Sequence, residues 1–232
     1  MTRAFAINGS PRMEEGNTAM VLSPFTQGMV DAGCEVELFY ASRLKVKPCS
    51  CSEMYCWYKK PGECCIKDEM NVLYPKMKKA DILILATPVY IPLPGGMQQV
   101  INRLCPLMKP LLETRDGRTR ARFREDVEIK KVVLVSTSGW WEMGNFTTVV
   151  RIAEEIAKDA SVEFAGAVLR PHAMLMKDKG QLTEAGQAVL AAARRAGSEL
   201  VRDGAMSKQT LEAISRPLIP QEDLRQIYNS LV

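Results

Sequence analysis

Residues 4–18 read Ala4-Phe5-Ala6-Ile7-Asn8-Gly9-Ser10-Pro11-Arg12-Met13-Glu14-Glu15-Gly16-Asn17-Thr18. An apolar run stops abruptly at an Asn-Gly-Ser-Pro turn. After a polar stretch, apolar residues recur at helical spacing through Met20, Val21, Leu22, Phe25 and Met29. The order is strand, polar loop, helix. Gly33 closes the helix, and Glu35-Val36-Glu37-Leu38-Phe39-Tyr40 alternates with period two as a second strand. Further along, Asp81-Ile82-Leu83-Ile84-Leu85-Ala86-Thr87 is nearly all apolar, as a strand covered on both faces must be. Lys131–Thr137 and Val162–Leu169 read as the fourth and fifth strands. Helical patterns over Glu69–Ala80, Met97–Leu112, Asn145–Ala160 and Leu182–Arg202 alternate with them. Alternation of this kind implies an α/β fold, a three-layer sandwich of one five-stranded parallel sheet with helices on both faces.

The 232 residues suit one substantial core, read as a domain over 1–204 with a cysteine-rich insertion at 47–66. Residues 205–232, broken by Pro217 and Pro220, form a C-terminal helical extension expected to contact another subunit. Hydrophobic content of 47% and charge of 25% are ordinary for a globular protein. A formal charge of +4 is too small to imply nucleic acid as a partner. No apolar run reaches the roughly 18–20 residues that span a bilayer, and the N-terminal run is too short for a signal peptide. The expectation is a cytoplasmic protein, where clustered cysteines bind metals or do redox chemistry more often than they form structural disulfides.

In a parallel sheet of this kind, ligands bind beyond the carboxyl ends of the strands. The first such loop offers the Ser10 hydroxyl, the Arg12 guanidinium, Asn17 and Thr18, and the helix that follows adds a dipole favouring an anion. A phosphate suits these groups; the plainer alternative is a polar turn with Asn17 or Thr18 as a helix cap. Neither the dinucleotide glycine pattern nor the Walker lysine motif is present. The second loop, Pro88-Val89-Tyr90-Ile91-Pro92-Leu93-Pro94-Gly95-Gly96, is rigid and apolar, with glycines that permit close backbone approach. The third, Ser136-Thr137-Ser138-Gly139-Trp140-Trp141, supplies small polar groups and then two indoles, one of which is expected to cover the core edge. A planar heterocycle with a phosphate tail would use all three loops.

Five of the seven cysteines fall between Cys49 and Cys65, in Cys-Ser-Cys-Ser-Glu-Met-Tyr-Cys-Trp-Tyr-Lys-Lys-Pro-Gly-Glu-Cys-Cys. Such density reads as a [4Fe–4S] cluster site, a zinc site or a patch of redox thiols. Cys34 and Cys105, in helical contexts, read as small buried hydrophobes.

The chain resembles the flavodoxin-like NAD(P)H-dependent FMN reductases, and among them the iron–sulfur flavoproteins. The resemblance rests on Asn8-Gly9-Ser10-Pro11-Arg12 with Asn17-Thr18, on Ala86-Thr87-Pro88-Val89-Tyr90, and on Cys56-Trp57 to Pro61-Gly62-Glu63-Cys64 with Lys67-Asp68. It covers about two-thirds of the chain and implies the strand order 2-1-3-4-5. It implies FMN with its phosphate on Ser10, Arg12, Asn17 and Thr18. The isoalloxazine would lie among Pro88, Val89, Tyr90, Ile91 and Gly95 and the third-loop residues Thr137, Ser138, Gly139 and Trp140. It implies a homodimer or homotetramer as well. The compact cysteine pattern of the iron–sulfur relatives is C-x2-C-x2-C with a fourth cysteine some residues on. Here the spacing is Cys49-x-Cys51-x4-Cys56-x7-Cys64 with Cys65 adjacent, so Cys49, Cys51, Cys56 and Cys64 are the candidate ligands of a [4Fe–4S] cluster.

The function expected from this reading is an FMN-dependent oxidoreductase. It would pass electrons from NAD(P)H or a reduced partner, through flavin and a cluster, to a small-molecule or protein acceptor. The alternatives are a non-catalytic electron carrier and a zinc- or thiol-bearing redox sensor. His172, the one histidine, reads as a surface or partly buried residue. Arg115, Arg118, Arg120, Arg122 and Arg124 read as a solvated basic loop.

Overall fold

Strands with apolar residues on both faces are stable only when helices cover both sides, and the chain supplies them. The structure is a computed structural model that describes residues 1–51 and 53–230. Residue 52 of the cysteine-rich segment and residues 231–232 of the C-terminal extension lie outside the described residues. Five strands, β1 (Arg3–Asn8), β2 (Glu35–Tyr40), β3 (Ile82–Pro88), β4 (Lys131–Thr137) and β5 (Glu163–Arg170), form one sheet in the order β2-β1-β3-β4-β5. Every pairing is parallel, as the sequence implies.

On one face Phe5, Ile7, Leu83, Leu85 and Leu134 pack against α3 (Met70–Lys78), α4 (Gly95–Asn102) and α5 (Thr147–Ala160). On the other, Ala4, Ala6, Ile84, Val133 and Val135 meet α1 (Asn17–Asp31) and α6 (Glu184–Arg202). Small residues alternate with large ones along β1, so the α1–α6 layer lies close to the sheet. Those two helices also approach backbone to backbone. A Cβ added to Gly28 would sit 1.8 Å from the Arg194 carbonyl oxygen, and one on Gly197 would sit 1.9 Å from that of Phe25. Between them, the Ser198 hydroxyl donates to the Gly28 carbonyl at 2.8 Å.

Two sequence expectations are corrected. The helix expected over Met97–Leu112 is shorter: α4 ends at Asn102, and a 3-10 turn follows over Cys105–Leu107. Pro106 and Pro110 each lack the N–H that a continuing helix needs. The arginine run is no solvated loop but an antiparallel hairpin, Glu113–Arg115 with Arg118–Arg120. Arg120 is buried in it, bonded to Asp159 at 2.7 Å and to Glu155 at 3.2 Å.

The C-terminal extension folds as α7 (Lys208–Ser215) and α8 (Gln221–Asn229). It is tied to the end of β5 by two residues without solvent exposure, Arg170 and His172. Full burial of His172 is a correction too. Arg170 has no carboxylate partner among the described residues; its guanidinium donates to the carbonyls of Pro171 (2.7 Å), Ile214 (2.6 Å) and Arg216 (2.9 Å). The last two lie at the C-terminal end of α7, where unpaired carbonyls concentrate negative potential. Burial lowers Arg170 to about 10, which leaves it charged at neutral pH. His172 Nε2 accepts from the Leu218 N–H at 3.0 Å and faces Arg170 Nη2 at 2.7 Å, so the ring is neutral with its proton on Nδ1.

Burial, with the Arg170 charge beside it, lowers His172 from 6.5 to about 4. Between those two values the unfolded chain binds the proton that the folded ring refuses, so stability falls as pH drops through this window and is flat above it. The drop expected from this residue is about 3 kcal/mol at most. Urea unfolding at a series of pH values checks it. His172→Gln, which keeps an acceptor for Leu218, is expected to flatten the slope between about pH 6.5 and 4, and an unchanged slope would contradict the assignment.

Candidate functional site

Parallel strands leave their carboxyl ends on one edge, so the loops after β1, β3 and β4 converge there. They line a cavity of about 370 Å³. Ser10, Arg12, Asn17 and Thr18 form its first wall, Pro88, Val89 and Tyr90 its second, and Thr137, Ser138 and Gly139 its third. The first loop is held tightly. Asn8 Oδ1 accepts from the Ser10 N–H at 2.9 Å, Ser10 Oγ accepts from the Arg12 N–H at 3.3 Å, and Ser42 Oγ donates to the Ser10 carbonyl at 3.3 Å. Asn17 and Thr18 open α1, but neither caps it. The capping residue is Gly16, and it makes no side-chain bond. Thr18 Oγ1 instead pairs with Thr137 Oγ1 at 2.9 Å, joining the first and third loops. The first-turn N–H groups of α1 are therefore left for a ligand, and the Arg12 guanidinium has no acidic partner among the described residues.

The other two walls are also fixed from behind. Ser136 Oγ donates to the Thr87 carbonyl at 2.8 Å, and the Val89 N–H donates to the Thr137 carbonyl at 2.8 Å. Three residues expected at the site stand elsewhere. Ile91 projects fully into solvent, Gly95 begins α4 and is exposed, and Trp140 is 65% exposed outside the cavity. Trp141 is the covering indole: it is half-buried, and its Nε1 donates to the Ile219 carbonyl at 2.9 Å.

Two wall residues were not anticipated, Met174 and Tyr228. Tyr228 comes from α8, the extension expected at a subunit contact, and its hydroxyl meets the Gly139 carbonyl at 3.2 Å and Met174 Sδ at 3.1 Å. A Cβ on Gly139 would come within 2.9 Å of that hydroxyl, so glycine there makes room for the tyrosine. Only the tertiary fold brings α8 to this edge, and no local pattern announces it.

The cysteine-rich loop leaves β2 at the same edge and returns to α3. At its base lies Arg103, the residue that closes α4, 1% exposed. Its guanidinium makes a two-pronged bond to Asp68, at 2.7 Å and 3.2 Å. It also donates to the Lys47 carbonyl (2.8 Å) and to Cys64 Sγ (3.3 Å). One buried cation thus pins both limbs of the loop. Asp68 also accepts from the N–H groups of Lys47 and Met70. Burial would raise its pKa, but Arg103 and those N–H donors outweigh that and hold the carboxyl below its usual range. Arg103 was not anticipated; its only sequence signal is a lone charge set between the apolar pairs Val100-Ile101 and Leu104-Cys105.

The short helix α2 (Tyr55–Tyr58) packs on the Cys105–Leu107 turn, which brings Cys56 and Cys105 to one contact. Burial, then the facing thiol, pushes Cys56 up to about 12. Cys51 and Cys64 lie near both. Cys49 and Cys65 are exposed, and Cys34 is buried at the opposite edge of the sheet, before β2, as a small hydrophobe should be. Cys105, expected to be the same, is half-buried and stands among the loop thiols instead. Among the described residues no three His, Cys, Asp or Glu side chains converge as ligands of one metal ion.

The sheet order and the cavity beyond its carboxyl edge define a flavodoxin-like fold. Solved structures with this fold include an NAD(P)H:quinone oxidoreductase from Methanothermobacter marburgensis. It superposes with a TM-score of 0.59 at 16% identity, over 86% of this chain and 96% of that one. An FMN-dependent NADH-azoreductase from Bacillus anthracis, solved in complex with FMN, gives 0.57 at 13% identity over 88% and 100%. Residues 2–153 match the family described as NADPH-dependent FMN reductase, and the chain belongs to that family. An iron-sulfur flavoprotein of Methanocaldococcus jannaschii is 33% identical over 109 residues, 47% of this chain and 53% of its own. One of Archaeoglobus fulgidus is 33% identical over 118 residues, 50% and 51% respectively. The chain spans about half the length of these curated relatives.

Removing Arg103 would leave the Asp68 carboxylate buried without its counter-ion. Arg103→Met is expected to cost roughly 3–5 kcal/mol in urea unfolding, and adding Asp68→Asn to it should recover part of the loss. A cost below about 1 kcal/mol would show that the pair does not anchor the loop.

Proposed function

We propose that the chain is an FMN-dependent oxidoreductase that takes electrons from NAD(P)H, with an iron–sulfur centre in its cysteine loop as the next carrier towards an acceptor. The observation that carries this reading is the division of the cavity into two ends. One end presents Ser10, Thr18, Arg12 with no acidic partner among the described residues, and the uncapped start of α1, a setting for a dianionic phosphate. The other presents Pro88, Val89 and Tyr90 against Gly139, flat and largely apolar, with room for a planar ring. The Asn8 Nδ2 donor, buried at the end of β1 with no partner among the described residues, fits a site that receives a polar ligand.

FMN, when bound, supplies hydride acceptance from a nicotinamide and release of the electrons one at a time. The protein's own work is positional. Ser10, Arg12 and Thr18 hold the phosphate and so fix the depth of the ring. The rigid Pro88-Val89-Tyr90 segment, held by the Val89–Thr137 bond, sets its plane. Tyr228 and Met174 close one side and keep water from it. No side-chain acid or base is required for hydride transfer.

The iron–sulfur part rests on the names of the curated relatives and on the soft donor set gathered around Cys56. The seven cysteines are all free, which fits a reducing compartment such as the cytoplasm.

Mixing the FMN-loaded protein anaerobically with NADH or NADPH tests the reading. At least one nucleotide is expected to bleach the flavin's visible absorption within seconds. If neither does so while a reduced electron-transfer protein does, the chain is a carrier and not a reductase. If nothing reduces it, the oxidoreductase reading fails.

A further inference from the structure

The spacing Cys49-x-Cys51-x4-Cys56 departs from a compact cluster motif, and the fold suggests what makes up the difference. Three observations converge on the contact between α2 and the turn after α4. Cys56, 5% exposed, lies on α2 where that helix packs on the turn carrying Cys105, and Cys51 and Cys64 are near enough for their charges to act on both. Cys49 and Cys65 are the exposed cysteines of the loop, and Cys49 lies beside Cys51. Arg103 sits behind the group, two residues before Cys105, and already donates to Cys64 Sγ at 3.3 Å. Its Nε is buried with no acceptor among the described residues.

We propose that Cys105 is the fourth ligand of an iron–sulfur cluster held with Cys51, Cys56 and Cys64, and that Cys49 and Cys65 stand outside the ligand set. The assignment rests on the iron–sulfur part of the proposed function and replaces Cys49 in the set expected from sequence. Among the described residues no three of these side chains converge on a single ion. A single zinc draws its sulfurs to about 2.3 Å from a common centre, whereas in a four-iron cluster each thiolate binds its own iron and the sulfurs stand wider apart.

Arg103 has a definite place in this arrangement. Four thiolates and a cluster carry net negative charge, and a buried guanidinium beside them offsets part of it. Its bond to Cys64 is the kind of hydrogen bond to sulfur that tunes a cluster's potential. Each thiol gives up its proton to solvent as it ligates iron, so loading releases protons and is opposed by acid. Because Cys105 follows directly from α4, the ligand set would join the loop to the rigid body of the domain. Three ligands within the loop and a fourth on the α4 side would clamp the segment at both ends.

The test uses the full chain, reconstituted anaerobically with ferrous iron and sulfide in the presence of a thiol reductant, then desalted. Wild type is expected to keep about four irons and four acid-labile sulfides per chain. Cys49→Ser and Cys65→Ser should match it, while Cys105→Ser should keep at least about fivefold less of both. Bound FMN and far-ultraviolet dichroism report whether Cys105→Ser is folded. A second measurement avoids the variant altogether. In loaded wild type, a thiol-alkylating reagent read by mass spectrometry should label Cys49 and Cys65 and spare Cys51, Cys56, Cys64 and Cys105, with only these four labelled faster once iron is removed. Full loading of a folded Cys105→Ser, equal alkylation of Cys105 with and without iron, or a Cys56–Cys105 disulfide in the loaded protein overturns the assignment and leaves the cluster itself standing. Wild type that retains FMN but no iron and sulfide fails the iron–sulfur reading first, and the assignment with it.

Discussion

The parallel sheet is the constraint on which the rest depends. Its three central strands are buried on both faces, so each must cross over through a covering helix and enter again in the same direction. All carboxyl ends therefore meet on one edge, and the chemistry gathers there: the Gly-Ser-Pro-Arg turn, the Pro-Val-Tyr segment, the Ser-Gly loop and the exit of β2 into the cysteine segment. Short bonds between strand ends, Thr18 to Thr137 and Ser136 to Thr87, convert that convergence into a fixed cavity. The opposite edge carries surface ion pairs such as Asp81 with Lys130 and the buried Cys34, and no comparable gathering of loops.

Two fully buried guanidinium groups then attach the parts that the sheet alone does not hold. Arg103 meets a carboxylate and anchors the cysteine loop; Arg170 meets only carbonyls and a neutral imidazole and anchors the C-terminal extension. The difference in partners is a difference in acid sensitivity. The Arg103–Asp68 pair holds its carboxyl ionised below the usual carboxylate range, while the Arg170–His172 contact fails once the ring takes a second proton. Through the second anchor α8 carries Tyr228 to the cavity wall. The extension thus lies against the domain's own site, whatever further contacts it makes.

Much of this was legible in the sequence because it is local. Apolar runs and period-two alternation define all five strands, and the turn residues that follow β1, β3 and β4 mark the three walls. What was not legible is long-range. Arg103 and Asp68 are separated by 35 residues and Tyr228 and Gly139 by 89, so neither contact leaves a periodic trace. Cys105 looked like a core residue because its neighbours are apolar, and only the packing of α2 on the following turn shows that it faces Cys56. Ile91, Gly95 and Trp140 were placed at the site by the family resemblance, yet the backbone turns them outward or into the start of α4. The helix expected to run to Leu112 stops at Asn102, because Pro106 and Pro110 override the apolar period.

The central claim is that the polar end of the cavity is a phosphate cradle that fixes a flavin. Titrating the flavin-free protein with FMN and with riboflavin, read by fluorescence quenching, tests it most directly. Two or more charge-assisted bonds to the phosphate, each equivalent to about tenfold in affinity or more, should make FMN bind at least about a hundredfold tighter than riboflavin. Equal affinity for the two would contradict the account.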